Sequence, residues 1–260
     1  MRDDGNFTDL GILPATLDGG AAARAAVGLI VLATDQTMEL EFRRLLPLDG
    51  VGLYCTRVHN DAEITPETLR AIGPRIPAAT ELILPGLPLD VVGFGCTSAT
   101  MTLGEDYIFD AIRRVRPGIA CTTPITAAVA AFAALGARRI GVLTPYAAEV
   151  NAVVRRYLED QGVPVAAFGT YSKLDDREAA RIDFASIEAG VAALAEAGNL
   201  DAVFISCTSM RLSERVAQIE AATGLAVTSS DHALAWHCLR LAGIEDSIAG
   251  AGRLFTLPLA

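Results

Sequence analysis

Apolar residues in this chain come in short unbroken runs, each followed by a longer stretch in which they recur every three or four positions. Residues 27–33 read as a buried strand, and Thr34-Asp35-Gln36-Thr37 as a polar turn that caps the next helix. In that helix Met38, Phe42, Leu45 and Leu46 share one face, which leaves Glu39, Glu41, Arg43 and Arg44 pointing outward. Residues 51–58 alternate as a second strand does, and Thr65-Pro66-Glu67 opens a helix with a capping hydroxyl and a proline at its first position. Further strands are predicted at 91–95 and 119–121, with helices over 107–115 and 124–135. The second half gives strands at 139–143, 163–168, 202–206 and 225–228, and helices over 148–161, 185–197, 212–222 and 231–241. Strands that are apolar throughout and alternate with helices predict an α/β protein whose parallel sheets are covered on both faces.

The order of elements repeats. Gly28-Leu29-Ile30-Val31-Leu32 is matched by Gly141-Val142-Leu143-Thr144-Pro145, 113 residues on. The pattern Asp-Xaa-Val-Xaa-Xaa-Xaa-Cys-Thr-Ser stands at 90–98 and again at 201–209, and Ile119-Ala120-Cys121-Thr122-Thr123-Pro124 pairs with Leu225-Ala226-Val227-Thr228-Ser229-Ser230. Three correspondences in one order predict a domain duplication, since the period is far too long for a solenoid. The expected architecture is two flavodoxin-like, doubly wound lobes related by a pseudo-twofold, with the active-site cleft between the carboxyl ends of their strands. Residues 1–24, acidic and rich in Gly and Ala, read as a disordered tail. Residues 25–137 form the expected first lobe and 138–260 the second, whose last helix is expected to pack back on the first.

Charge and composition narrow the function. A net charge of −10 speaks against nucleic acid as a partner and gives no long-range attraction for anions, so a bound carboxylate must be held by local donors. No run reaches the roughly 18 apolar residues of a membrane span. The N-terminus, with Asp3, Asp4 and Asp9, does not read as a secretory signal. Five cysteines (55, 96, 121, 207 and 238) without CxxC spacing then read as reduced thiols in a cytoplasmic protein. The single lysine, Lys173, lies in a charged stretch poorly suited to a pyridoxal Schiff base. His232 and His237 are five apart on a predicted helix and do not share a face. With no P-loop or GxGxxG either, the site is expected to use neither metal nor cofactor.

Cys96 and Cys207 are therefore the candidate chemistry. A thiol at the exposed end of a core strand, at the start of a helix, is expected to have a lowered pKa. Two thiols facing one bound carbon allow racemisation next to a carboxylate, one taking a proton and the other returning it. They equally allow thiolate addition to a double bond, rotation and elimination, or decarboxylation with one thiol protonating the carbanion. Each route passes through an oxyanion that Thr97, Ser98, Thr208, Ser209 and the backbone N–H groups of both turns are placed to stabilise. Cys55, Cys121, Cys238 and both helical histidines read as packing residues, and Asp90 and Asp201 as strand-entry turns. The rival from another class is a non-catalytic small-molecule binding protein, for which two inert, buried thiols would be the mark.

The paired Cys-Thr-Ser turns, together with Val142-Leu143-Thr144-Pro145-Tyr146, resemble the aspartate/glutamate racemase superfamily over roughly residues 27 to 255. The branch it resembles holds maleate cis–trans isomerases, arylmalonate decarboxylases and racemase-like proteins of ectoine utilisation. The resemblance implies Cys96 as nucleophile or base, Cys207 as its acid or base partner, and Tyr146 as a donor to the substrate carboxylate. It also implies a homo-oligomer, a dimer or larger, acting on a small carboxylate or amino acid. Gly252-Arg253-Leu254-Phe255 resembles the decarboxylase terminus, but those enzymes carry glycine at the first cysteine, so Cys96 argues for an isomerase. Maleate isomerases carry asparagine where this chain has Asp35, and another near Ser172. Asp35 is accordingly expected to bind substrate and to favour an ammonium group over a second carboxylate. Racemisation or epimerisation is the first expectation and covalent cis–trans isomerisation through Cys96 the second.

Overall fold

The computed structural model describes residues 8–46 and 48–260. Its first lobe runs β1 (Ala25–Leu32), α1 (Met38–Leu45), β2 (Val51–Val58), α2 (Pro66–Arg70), α3 (Ile76–Glu81), β3 (Val91–Gly95), α4 (Thr97–Leu103), α5 (Glu105–Arg113), β4 (Ala120–Thr122) and α6 (Pro124–Leu135). The second runs β5 (Ile140–Thr144), α7 (Ala148–Asp160), β6 (Val165–Thr170), α8 (Asp176–Ala179), α9 (Phe184–Glu196), β7 (Ala202–Ile205), α10 (Val216–Thr223), β8 (Ala226–Ser229) and α11 (Ser230–Leu241). Each lobe is a four-stranded parallel sheet, in the order β2-β1-β3-β4 and β6-β5-β7-β8. The two orders are the same, which is the expected duplication of an α/β, flavodoxin-like unit.

Equivalent side chains set the register of both sheets. The Asp90 carboxylate accepts from the Ala26 N–H at 2.7 Å, tying the entry of β3 to β1. Asp201 does the same for β7 and β5, accepting from the N–H groups of Arg138 and Arg139, each at 2.8 Å. The central strands β1, β3, β5 and β7 are buried along their whole length, whereas β2 and β6 lie at the edges and are half-exposed.

The lobes are joined through α6 and α11, which pack on each other, while α11 also lies against α1 and β3. Residues Ser230 to Arg240 are all buried, so α11 is a core helix rather than a surface one. Gly93 makes room for it, since a β-carbon there would stand 3.3 Å from Cys238 Sγ and 3.4 Å from Leu234. Residues 8–24 form no helix or strand and are largely exposed; the first seven residues of the predicted tail lie outside the described residues. No helix among the described residues is long and apolar enough to cross a membrane.

Two local expectations are corrected. Glu41 does not point outward: it is fully buried and accepts from the N–H groups of Leu212 (2.9 Å) and Ser213 (2.7 Å) and from the Ser213 hydroxyl (2.8 Å). Helix periodicity reports only one partner face, and here the second lobe covers another. That capture of residues 212–213 accompanies a late start for α10, at Val216 rather than 212.

Candidate active site

β3 runs apolar and buried to Gly95, where a side chain has no room: a β-carbon would overlap Met38 Sδ and lie 3.0 Å from the Ile30 carbonyl oxygen. Cys96 follows in extended conformation and caps α4, its sulfur accepting from the Ala99 N–H at 3.4 Å with Ser98 Oγ 3.8 Å away. Cys207 holds the equivalent place after β7, accepting from the Ser209 N–H at 3.4 Å. No helix begins there, because the chain makes a turn instead, with the Met210 N–H on the Cys207 carbonyl at 3.2 Å. The helix start expected after each thiol is therefore present only at Cys96.

Tyr146, on the turn after β5, is buried and lines the same cavity as Cys207. Its backbone is pinned by Thr170, whose hydroxyl donates to the Tyr146 carbonyl at 2.6 Å, and by Asn151 Nδ2 at 2.9 Å. Cys96, Cys207, Thr97, Ser98, Thr208 and Tyr146 all line one cavity of about 20 Å³ between the lobes. That is room for a single water, so the site is closed as it stands. The N–H groups of Thr97, Ser98 and Thr208 donate to no other described group, which leaves three backbone donors at this place.

Two predicted site residues stand behind the cavity wall. One Asp35 oxygen accepts from the N–H groups of Thr37 and Met38, both at 2.8 Å, so the residue caps the start of α1 and does not line the cavity. Its other oxygen is buried without a partner, and burial pushes its pKa up to about 6. Ser209 likewise lies behind, with its hydroxyl on the Asp176 carboxylate at 2.5 Å.

The thiols are not acidified. Burial raises Cys96 to about 12, against the opposing pull of the Ala99 N–H and the Ser98 hydroxyl. Cys207 is raised further by burial and by the Asp176 carboxylate, and the Tyr146 phenol is raised as well. The expected lowering fails because a buried site beside carboxylates penalises a second negative charge more than a few donors repay. Both sulfurs are neutral thiols in the closed protein. His232 and His237 are also buried and neutral, lowered to about 4; Thr228 and the Ala251 carbonyl hold the first, and the Thr122 hydroxyl the second. Among the described residues no three His, Cys, Asp or Glu side chains converge as metal ligands.

Asn60, Asp61, Glu63 and Asp176 also line the cavity and were not singled out from the sequence. They come from the loops after β2 and β6, which meet across the mouth: Glu63 and Asp175 form a β-bridge, with the Ile64 N–H on Leu174 O (3.3 Å) and the Asp176 N–H on Ala62 O (3.2 Å). Loop residues carry no periodic signal. Only the adjacent acids Asp175 and Asp176 mark the segment, and these read as solvated charge.

Duplicated sheets whose strand ends bring two buried thiols and a tyrosine to one cavity define a two-lobed enzyme of the Asp/Glu racemase superfamily. Within it, the chain belongs to the arylmalonate decarboxylase family, whose model matches residues 62–255. It is 25% identical over 244 residues to the maleate isomerase of Pseudomonas putida, covering 88% of this chain and 96% of that one. It is 30% identical over 144 residues to the arylmalonate decarboxylase of Bordetella bronchiseptica, covering 55% and 60%. The solved structure of the maleate cis–trans isomerase of Nocardia farcinica superposes with a TM-score of 0.79 at 25% identity, over 89% of this chain and 98% of that one. A cysteine-to-serine variant of the Nocardia enzyme holds a covalently bound succinylcysteine intermediate.

Proposed function

We propose that this protein is a cofactor-independent cis–trans isomerase of a small unsaturated carboxylate, working through a covalent adduct on Cys96 with Cys207 as the proton carrier. The observation that carries the reading is the presence of both thiols, with Tyr146 beside one of them, in the wall of a single buried cavity. Cys96 caps the start of α4, where the Ala99 N–H and the Ser98 hydroxyl favour its thiolate; it ionises, its proton passing to water as substrate enters, and attacks. Its thiolate adds to the double bond at the carbon β to the carboxylate, forming a C–S bond, and the π electrons move onto the α-carbon and its carboxylate. Cys207 gives its proton to the α-carbon. The resulting single bond rotates, Cys207 takes the proton back, and expulsion of the Cys96 thiolate restores the double bond as trans. The N–H groups of Thr97, Ser98 and Thr208 and the Tyr146 hydroxyl are the donors for the oxyanion.

Racemisation at the α-carbon is the second reading, favoured by the equivalent placement of the thiols at two duplicated strand ends. The cis–trans route is placed first because the relatives whose sequences align over almost their whole length are maleate isomerases. Two buried thiols of raised pKa are the mark expected of a binding protein, and it is the family that decides for an enzyme.

Proton NMR in deuterated water over a panel of cis-enoates and amino acids tests the reading. Expected are trans product, a Cys96 thioether detected by mass spectrometry, and loss of turnover in both Cys96→Ala and Cys207→Ala. Normal turnover in either variant would sink the two-thiol mechanism, and α-deuteration without geometric change would move the assignment to racemisation. A dimeric assembly is proposed alongside, read by light scattering.

A further inference from the structure

The charges around the cavity are one-sided. Asp61, Glu63 and Asp176 line it, and among the described residues that line it there is no lysine, arginine or histidine. Asp61 and Glu63 are exposed at the rim, where solvent screens them. Asp176 differs in being buried, only 6% exposed. Its two oxygens are fixed by hydroxyls from different lobes, Thr34 Oγ1 at 2.8 Å and Ser209 Oγ at 2.5 Å. No cation pairs with it among the described residues, and its charge helps to raise the pKa of Cys207 and of Tyr146.

A substrate with two carboxylates would have to place one of them among these acids with no counter-charge, an arrangement that burial away from water penalises. A substrate with one carboxylate and one cationic nitrogen meets the opposite situation. Its carboxylate takes the backbone donors of Thr97, Ser98 and Thr208, and its nitrogen takes Asp176, the buried carboxylate in the cavity lining, which has no cationic partner among the described residues.

We propose that Asp176 is the specificity-determining residue of this cavity, pairing with an ammonium group on a small monocarboxylate substrate and excluding dicarboxylates such as maleate. This rests on the reading of the Cys96–Cys207 cavity as the active site. The pairing has a chemical consequence. Asp176 is among the charges that hold both thiols protonated, and an ammonium beside it cancels that effect. Substrate binding thereby eases formation of the Cys96 thiolate, so the nucleophile is released by the molecule it attacks.

The experiment compares two probes of one carbon skeleton, cis-4-aminobut-2-enoate and maleate, with β-alanine and γ-aminobutyrate as saturated zwitterions. Binding is read on the wild-type protein by calorimetry and by protection of Cys96 and Cys207 from alkylation, and turnover is read separately by NMR. The expected result is at least tenfold tighter binding of a zwitterion than of maleate, with the ratio falling tenfold or more in Asp176→Asn. The asparagine keeps an acceptor for one of the two hydroxyls and turns a donor to the other, and Asp176→Ser is a second variant. Wild-type protein that prefers maleate, binds none of the zwitterions, or shows a ratio unmoved in either folded variant would overturn the assignment. Zwitterion preference without turnover would uphold Asp176 and instead reject the two-thiol isomerase.

Discussion

Glu41 joins the two lobes through a carboxylate with no cation beside it, and removing that carboxylate should loosen the second thiol. Two backbone N–H groups and one hydroxyl converge on it from Leu212 and Ser213, five and six residues beyond Cys207. Glu41→Leu fills the space but leaves three buried donors without an acceptor. At about 1–3 kcal/mol for each orphaned group, less what the apolar side chain returns, the loss comes to about 3–5 kcal/mol. For a chain of this size that lowers Tm by roughly 10 °C. Glu41→Gln is the informative control. Its amide oxygen can accept from both N–H groups while its nitrogen donates to the Ser213 hydroxyl, so the loss should stay under about 1 kcal/mol. Differential scanning calorimetry reads the stability. Iodoacetamide labelling followed by peptide mass spectrometry reads the site: Cys207 should label faster in Glu41→Leu, while Cys238, deep in α11, should not. Equal Tm values for the leucine and glutamine variants would refute the reasoning, because they would mean that the donors find other partners or never needed one.

Three further outcomes follow from the same structure. At pH 8, labelling of Cys96 should lag a free thiol by roughly a thousandfold or more, given a pKa near 12, while the exposed Cys55 labels first; a fast Cys96 would mean the site is open or acidified in solution. Asp35, raised by burial to about 6, stabilises the fold below about pH 4 and loses that contribution as pH rises through 6; His232 and His237, lowered to about 4, contribute above pH 6.5 and lose it as pH falls. Asp35→Asn keeps the cap on α1 but removes its opposing trend, so the acid loss of stability between pH 6 and 4 should steepen by about 2 kcal/mol, and an unchanged slope would remove Asp35 as a buried titrating group. Gly95→Ala should cost about 1–3 kcal/mol and disturb Cys96, since its methyl meets Met38 and the Ile30 carbonyl; a variant of wild-type stability would show that β3 shifts freely.

Much of the fold was legible because parallel strands buried on both faces leave an unmistakable trace. The runs at 91–95 and 202–206, each led by an aspartate and closed by Cys-Thr-Ser, marked both sheets and both thiols. What the pattern could not carry was contact between lobes. Glu41 lies on the polar side of α1 by periodicity, yet it is buried because the second lobe covers that side. Asp35 reads from the sequence both as part of the turn that caps α1 and as a ligand; its oxygen does take the first N–H groups of α1, and it does not line the cavity. Asp176 carries no sign of its place in the cavity, because the segment after β6 and the four-residue α8 that it opens have no repeat. The direction of the thiol shifts was missed for a related reason: position relative to a helix is visible in sequence, and burial beside a distant carboxylate is not.

Duplication supplies two thiols in equivalent places, but isomerisation through an adduct needs them unequal. The inequality is visible in what surrounds each sulfur. Cys96 is followed by a helix turn, so that the Ala99 N–H and the Ser98 hydroxyl both favour its thiolate. Cys207 stands before a turn whose continuation is held by Glu41, with the Ser209 N–H donating to its sulfur and burial and the Asp176 carboxylate raising its pKa. The first sulfur is thereby the easier to ionise and the second the better kept as a proton donor. The division of labour thus comes from the segments that differ between the lobes, and not from the Cys-Thr-Ser turns they share. Moving α4-like donors to Cys207, or removing Asp176, should narrow the gap between the thiols, and site-resolved labelling rates against pH would measure that gap directly.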